Sequence, residues 1–351
     1  MVIKMIFRQL FDLSSSTYTY LVACEKTNKA ALIDPVYELV RRDLALIEEL
    51  GLTLETVCET HCHADHVTAA WTLKQKTGCN IASAEVIGAS NVDAPLNDGD
   101  EVHIGEELLK VISTPGHTEG CLSYVMADQS MAFTGDALLI RGCGRCDFQQ
   151  GNASTLFHSV REKLFKLPAS CEIYPGHDYS GRTVSTVREE LAFNTRLGGG
   201  AIERDFVGYM EAMQLPHPKL IDHAVPANMR SGEPGSGEVP DEVIWAPIHY
   251  TFSGVPEVDV EWVVTHQADV HILDVRENAE LEDATDRLDN AQLIPLAQLR
   301  DSVEDVPTDK PVVCLCRSGR RSAMAVNILQ GAGVERVANI SGGMLRWNEF
   351  S

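Results

Sequence analysis

Short apolar runs alternate with amphipathic stretches along the whole chain. Lys29-Ala-Ala-Leu-Ile-Asp34, Glu55-Thr-Val-Cys-Glu-Thr60, Leu109-Lys-Val-Ile-Ser113 and Ser130-Met-Ala-Phe-Thr134 read as strands. Brief apolar runs bounded by polar or turn residues match buried β-structure. Helical spacing covers Val36 to Leu50 and Ala69 to Thr77. Near the far end, Val270-His-Ile-Leu-Asp274, Leu293-Ile-Pro-Leu296 and Val312-Val-Cys-Leu-Cys316 read as strands, with a helix from Arg321 to Gly331. Strands interleaved with helices predict an α/β chain.

Punctuation divides this pattern. Gly198-Gly-Gly200 is a local break, and Ser231-Gly-Glu-Pro-Gly-Ser-Gly-Glu-Val-Pro240 reads as a linker or surface connection. The predicted organisation is a first domain at 1–230, a linker at 231–252 and a smaller α/β domain at 253–351. A length of 351 residues fits two domains better than one.

Composition narrows the function classes. The net charge of -22 argues against nucleic acid and anionic lipid as partners. No run reaches the roughly 18 apolar residues of a membrane helix. The start, Met-Val-Ile-Lys-Met-Ile-Phe-Arg-Gln9, carries charges inside its apolar stretch and does not read as a secretory signal. Ten scattered cysteines do not form a disulfide framework. A reducing, cytoplasmic setting is expected, with Cys24, Cys58, Cys79 and Cys171 as small core residues. A homo-oligomer is compatible with the sequence.

The strands stop at metal-ligand residue types. His61-Cys-His63-Ala-Asp65-His66 packs four potential ligands into one turn. His117 follows in Ser113-Thr-Pro-Gly-His117, Asp136 in Phe133-Thr-Gly-Asp136, and His177 in Tyr174-Pro-Gly-His177. Imidazole suits zinc and iron, and carboxylate adds hardness. His103, His158 and His217 lack such company and read as ordinary histidines.

This set resembles the metallo-β-lactamase superfamily, an αββα sandwich, over roughly residues 5 to 230. The resemblance leaves two chemistries open at the ligands. In dinuclear zinc hydrolases of the glyoxalase II type, His61, His63 and His117 would hold one metal and Asp65, His66 and His177 the other, with Asp136 bridging. In persulfide dioxygenases, one Fe(II) per chain would be held by His61, His117 and Asp136, a facial triad with open positions. The remaining residues favour the second. Ala137-Leu-Leu-Ile-Arg-Gly-Cys-Gly-Arg145, Asp147-Phe-Gln-Gln150, Val67-Thr-Ala-Ala70, Pro175-Gly-His-Asp-Tyr179 and Asn194-Thr-Arg196-Leu look like the dioxygenase pattern. Cys146 departs from it, where threonine is expected. The resemblance implies oxidation of glutathione persulfide by O₂ to sulfite and glutathione at a non-haem iron. It also implies a glutathione site lined by Thr118, Arg145, Tyr179 and Arg196, since arginine suits carboxylates. Cys143 is expected near the substrate. The alternative is a zinc thioester hydrolase.

A second signature closes the chain. Cys316-Arg317-Ser318-Gly319-Arg320-Arg321-Ser322 follows an apolar strand and opens a helix. Converging backbone N–H groups there would stabilise a thiolate and then an anionic persulfide. With Leu273-Asp-Val-Arg276 and Gly342-Gly-Met-Leu-Arg-Trp347, it resembles a single rhodanese domain. The implied chemistry is sulfane-sulfur transfer between thiosulfate and glutathione at Cys316. Cys314 is expected to be buried and inert.

Overall fold

The computed structural model describes residues 5–213, 215–216, 218–238, 245–281 and 287–350. His217 and positions 239–244 of the expected linker lie outside the described residues. Two compact units emerge, residues 1–40 with 50–239 and residues 41–49 with 240–351.

The first unit is built on two six-stranded sheets. One runs in chain order: β1 (Met5–Phe11), β2 (Tyr18–Cys24), β3 (Lys29–Ile33), β4 (Thr53–Cys58), β5 (Asn80–Ala84) and β6 (Ala94–Leu96). The other contains β7 (Glu101–Ile104), β8 (Glu107–Ser113), β9 (Leu122–Met126), β10 (Met131–Gly135), β11 (Glu172–Pro175) and β12 (Ser185–Thr186). Val22, Ile33 and Ala82 of the first sheet meet Val111, Tyr124 and Phe133 of the second in one apolar core. Burial of these facing side chains is the main stabilising contribution, at roughly 25 cal/mol per Å² of apolar surface. Helices α2 (Ala70–Thr77), α3 (Ala153–His158), α4 (Val187–Phe193), α5 (Glu203–Ala212) and α6 (Ile221–Asn228) complete the order, while α1 (Val40–Glu49) falls, from Arg41 on, in the second unit. Leu156 and Phe157 of α3 and Phe206 and Met210 of α5 pack with Val125 and Ile173 in a second cluster. The layering is the αββα sandwich expected.

Two boundaries differ from the sequence reading. The strand expected at 55–60 is β4 at Thr53–Cys58, because Thr60 donates its backbone N–H to the Asp34 carboxylate at 2.7 Å. The helix expected from Val36 starts at Val40, after a 3-10 turn at Tyr37–Leu39. Val36 is extended and bridges to Thr68. Ser231 and Gly232, inside the expected linker, pack into the first unit. The Ser231 carbonyl accepts from Trp71 N at 2.9 Å, and a Cβ on Gly232 would lie 2.1 Å from Thr68 O.

The second unit has one six-stranded sheet of order β13-β14-β18-β17-β15-β16. Its strands are β13 (His249–Tyr250), β14 (Pro256–Val258), β15 (His271–Asp274), β16 (Ala291–Leu293), β17 (Val312–Leu315) and β18 (Val337–Ile340). All pairings but β13–β14 are parallel. Helices α7 (Val260–Thr265), α8 (Leu296–Leu299), α9 (Arg320–Gly331) and α10 (Gly343–Phe350) follow or separate the strands. β16 lies two to three residues earlier than expected, since Pro295 has no N–H for the ladder and precedes α8.

Candidate functional site

The candidate ligand histidines and aspartates of the first unit stand just beyond the C-terminal ends of β4, β8, β10 and β11. One ligand atom each from His61, His117 and Asp136 lie within 4.8 Å of one another, and all three residues are buried. Their neighbours set the ring tautomers. Thr60 Oγ1 gives its hydrogen to Asp34 Oδ2 at 2.7 Å, so it accepts from His61 Nδ1 at 2.9 Å. The Arg145 carbonyl can only accept, so His117 Nδ1 donates to it at 2.5 Å. Each ring is left with Nε2 as its free ligand atom. Burial, with His63 and His117 close by, holds His61 well below the ordinary imidazole value. Burial lowers His117 too, against the pull of Asp136. Burial would raise the Asp136 carboxyl, but His177, His117 and His61 bring it below its usual range. Two neutral imidazoles and a carboxylate are the protonation states that a divalent transition metal requires.

The other expected ligands make further contacts, and one ligand atom each from His63, Asp65 and His66 also lie within 4.8 Å of one another. His63 Nε2 lies 3.1 Å from Asp34 Oδ1 and 3.5 Å from Glu59 Oε2. Neither contact is aligned as a hydrogen bond, so this is an ion pair. Burial alone would lower the His63 value, but Asp34 and Glu59 push it up to about 9. Asp65 Oδ2 accepts from His66 Nδ1 at 3.0 Å and from His177 Nε2 at 2.9 Å. His177 Nδ1 donates to Asp136 Oδ1 at 2.7 Å. Thr17 Oγ1 reaches the same group, 3.0 Å from His177 Nε2.

A cavity of about 580 Å³ opens over the cluster. His61, His117, Asp136, Cys143, Arg145, Tyr179 and Arg196 line it. That volume is in the range of small-molecule sites. Tyr179 is 73% exposed, and its ring stacks parallel on His177 at 6.0 Å. Arg145 is held by both oxygens of Asp147, at 2.6 Å each, and donates to the Pro216 carbonyl at 2.7 Å. Arg196 Nη1 donates to Cys143 O at 2.8 Å. Cys143 is buried, which pushes its thiol up to about 11. Thr118 is buried beside Cys121 Sγ at 3.2 Å and is not among the residues lining the cavity.

Sequence reasoning missed the supports. Asp34 orients Thr60. Asn228, 162 to 165 residues away in the chain, donates to the carbonyls of His63 and His66 at 2.9 Å and fixes their loop. Asp34-Pro35 directly after an apolar strand was the one local signal for Asp34; Asn228 had none.

In the second unit, β17 delivers Cys316 to the mouth of α9. Ser322 Oγ donates to Cys316 Sγ at 3.2 Å. Burial would raise this thiol, but Ser322 and the backbone N–H groups of Ser322, Ser318 and Arg321 bring it below its ordinary value. Gly319 (φ 88°) takes the left-handed conformation that starts the helix. The loop is held from behind, where Met344 N donates to Cys316 O at 2.9 Å and Leu345 N to Arg317 O at 3.0 Å. Arg321 is engaged by Glu280, Nη2 to Oε1 at 2.8 Å. Arg276 is buried on Asp274, a structural pair. Cys314 is fully buried, with its thiol raised far above the ordinary value by burial.

Comparison with known proteins agrees with both halves. Residues 15–177 match the metallo-β-lactamase superfamily model and residues 259–350 the rhodanese-like domain model. The mitochondrial persulfide dioxygenase ETHE1 of Bos taurus is 52% identical over 228 residues, 65% of this chain and 89% of the relative. The crystal structure of ETHE1 from Myxococcus xanthus aligns with a TM-score of 0.63 at 51% identity, covering 65% of this chain and all of that one. A metallo-β-lactamase from Staphylococcus aureus shares the fold, with a TM-score of 0.62 at 23% identity over 97% of this chain and 99% of its own. The chain belongs to the metallo-β-lactamase superfamily and, within it, to the persulfide dioxygenase family, with a rhodanese-like domain following in the same chain.

Proposed function

We propose that the first unit oxidises glutathione persulfide with O₂ and water to sulfite and glutathione at one Fe(II) per chain. His61, His117 and Asp136 would hold the iron. The observation that carries this reading is the buried group of His61, His117 and Asp136, whose ligand atoms lie within 4.8 Å of one another on the wall of the cavity. Iron in such a set supplies one-electron redox chemistry and open coordination positions.

The chain's own groups supply the rest. The Arg145 carbonyl and Thr60 hydroxyl keep both ring tautomers fixed. Arg196 offers a guanidinium for a substrate carboxylate, and Tyr179 covers the His177 side of the cavity. Cys143 stays protonated near neutral pH and does not compete as a thiolate.

At the rhodanese-like loop, the Cys316 thiolate would attack the sulfane sulfur of thiosulfate. Sulfite leaves, and a glutathione thiolate then takes the sulfur as glutathione persulfide. Arg317 and Arg320 add positive potential for the anion, and the loop amides hold the charge on sulfur. The reverse flow, from persulfide and sulfite to thiosulfate, uses the same bonds. A cytoplasmic setting is supported by ten free cysteines, nine of them buried. No described helix is long and apolar enough to cross a membrane. The test is sulfite formation from glutathione persulfide by iron-loaded protein, present in air and absent under argon.

A further inference from the structure

The end of α4 and the loop from Arg141 to Arg145 form a continuous clamp on the metal ligands. Glu190 is wholly buried on α4, and four donors converge on its two carboxylate oxygens. Arg141 N and Asn194 Nδ2 donate to Oε2 at 2.9 and 2.8 Å. Ser185 Oγ donates to Oε1 at 2.5 Å, and Arg141 Nη1 pairs with the same oxygen. Arg141 has φ 63°, a left-handed conformation that a non-glycine residue keeps only when its surroundings hold it. From there, three successive carbonyls are gripped by three successive side chains. Thr195 Oγ1 donates to Arg141 O at 3.4 Å, Asn194 Nδ2 to Gly142 O at 3.0 Å, and Arg196 Nη1 to Cys143 O at 2.8 Å.

The next two residues of the loop touch the metal ligands directly. Gly144 N donates to the Asp136 carbonyl at 2.7 Å. A Cβ on Gly144 would lie 2.6 Å from His117 Nδ1, so the backbone rests against that ring. The Arg145 carbonyl then takes the His117 Nδ1 proton at 2.5 Å. The loop is thus fixed to Glu190 at one end and to His117 and Asp136 at the other.

We infer that Glu190 is a positioning residue for the metal centre, acting through Asn194 and the 141–145 loop on the orientation of His117. It touches neither ligand nor substrate. The inference rests on the proposed metal site and adds a residue whose removal changes that site at a distance. Glu190→Gln keeps the shape but turns an NH₂ toward converging donors, so the loop must move. Asn194→Ala cuts the Gly142 grip and leaves the Glu190 charge in place.

The test uses the full chain loaded with Co(II), read by the visible absorption of the bound ion and by competition with a chelator. Both variants should shift the Co(II) spectrum and weaken binding by about 10–100-fold, the usual effect of losing an outer support of a ligand. The alkylation rate of Cys316 should stay unchanged, which separates a local effect from general unfolding. Should Glu190→Gln fail to fold, Asn194→Ala alone decides. Wild-type spectrum and affinity in a folded variant overturn the inference. Absence of oxygen uptake by iron-loaded wild type would count against the dioxygenase reading only, since the clamp is judged on Co(II).

Discussion

His63 Nε2 stands 3.1 Å from Asp34 Oδ1, while its ring centroid lies 4.1 Å from that of His61. Both partners are buried, so the pair acts as a brace whose loss leaves a charge without a counterpart. His63→Ala should therefore keep one metal per chain and lose about 3–5 kcal/mol of stability. His61→Ala should lose the metal. Elemental analysis with chemical denaturation of the two variants separates them. Loss of metal in both variants would make His63 a ligand.

Gly144 and Gly142 flank Cys143 and give a matched pair of substitutions. A Cβ at 144 would meet Asp136 O and His117 Nδ1 at 2.6 Å, whereas nothing lies within 4 Å of one at 142. Gly144→Ala should displace His117, cost about 1–3 kcal/mol by overpacking and reduce metal content. Gly142→Ala should leave metal content unchanged. Metal analysis and thermal melts on the pair check this.

The Cys316 thiol lies below its ordinary value because hydrogen bonds from Ser322 and the loop amides outweigh burial. A donor to the thiolate favours the charged form, so removing it must raise the value. Ser322→Ala should move the pH dependence of Cys316 alkylation upward by about one unit, taking a charge-assisted hydrogen bond as about 1.5 kcal/mol. The rate of iodoacetamide labelling against pH measures it. An unmoved midpoint would leave the amides as the sole cause.

The two cysteines of β17 and its end should behave in opposite ways. Cys316→Ser removes the sulfur that carries the sulfane atom, so thiosulfate:glutathione transfer should vanish. Oxidation of supplied glutathione persulfide should persist, because the metal ligands lie in the other unit. Cys314→Ser should keep transfer and lose about 1–3 kcal/mol from a hydroxyl buried in a strand. Steady-state assays of both reactions on both variants decide whether the loop is assigned to the right sulfur.

The candidate metal ligands and the cysteine loop stand out in the sequence because each includes a dense local cluster of uncommon side chains at a strand end. His61 to His66 and Cys316 to Ser322 each occupy a single turn. What holds them was not legible. Asn228 reaches back to His63 and His66, and Glu190 and Arg141 meet across 49 residues. These are ordinary polar residues whose roles arise only from packing. The same cause displaced β4 by two residues, since the side chain of Asp34 takes the N–H of Thr60 out of the ladder. The direction of His63 was also beyond the pattern, because the H-x-H-x-D-H spacing is shared by one-metal and two-metal sites. In the structure His63 stands 3.1 Å from Asp34 Oδ1 and 3.5 Å from Glu59 Oε2, neither contact being readable from that spacing.

Oxygen consumption by protein of known metal content tests the central claim most directly. With glutathione persulfide as substrate, protein carrying one iron per chain should consume one O₂ for each sulfite formed, and Asp136→Ala should consume none. Full activity with two zincs per chain, seen as thioester hydrolysis without oxygen uptake, would contradict the account.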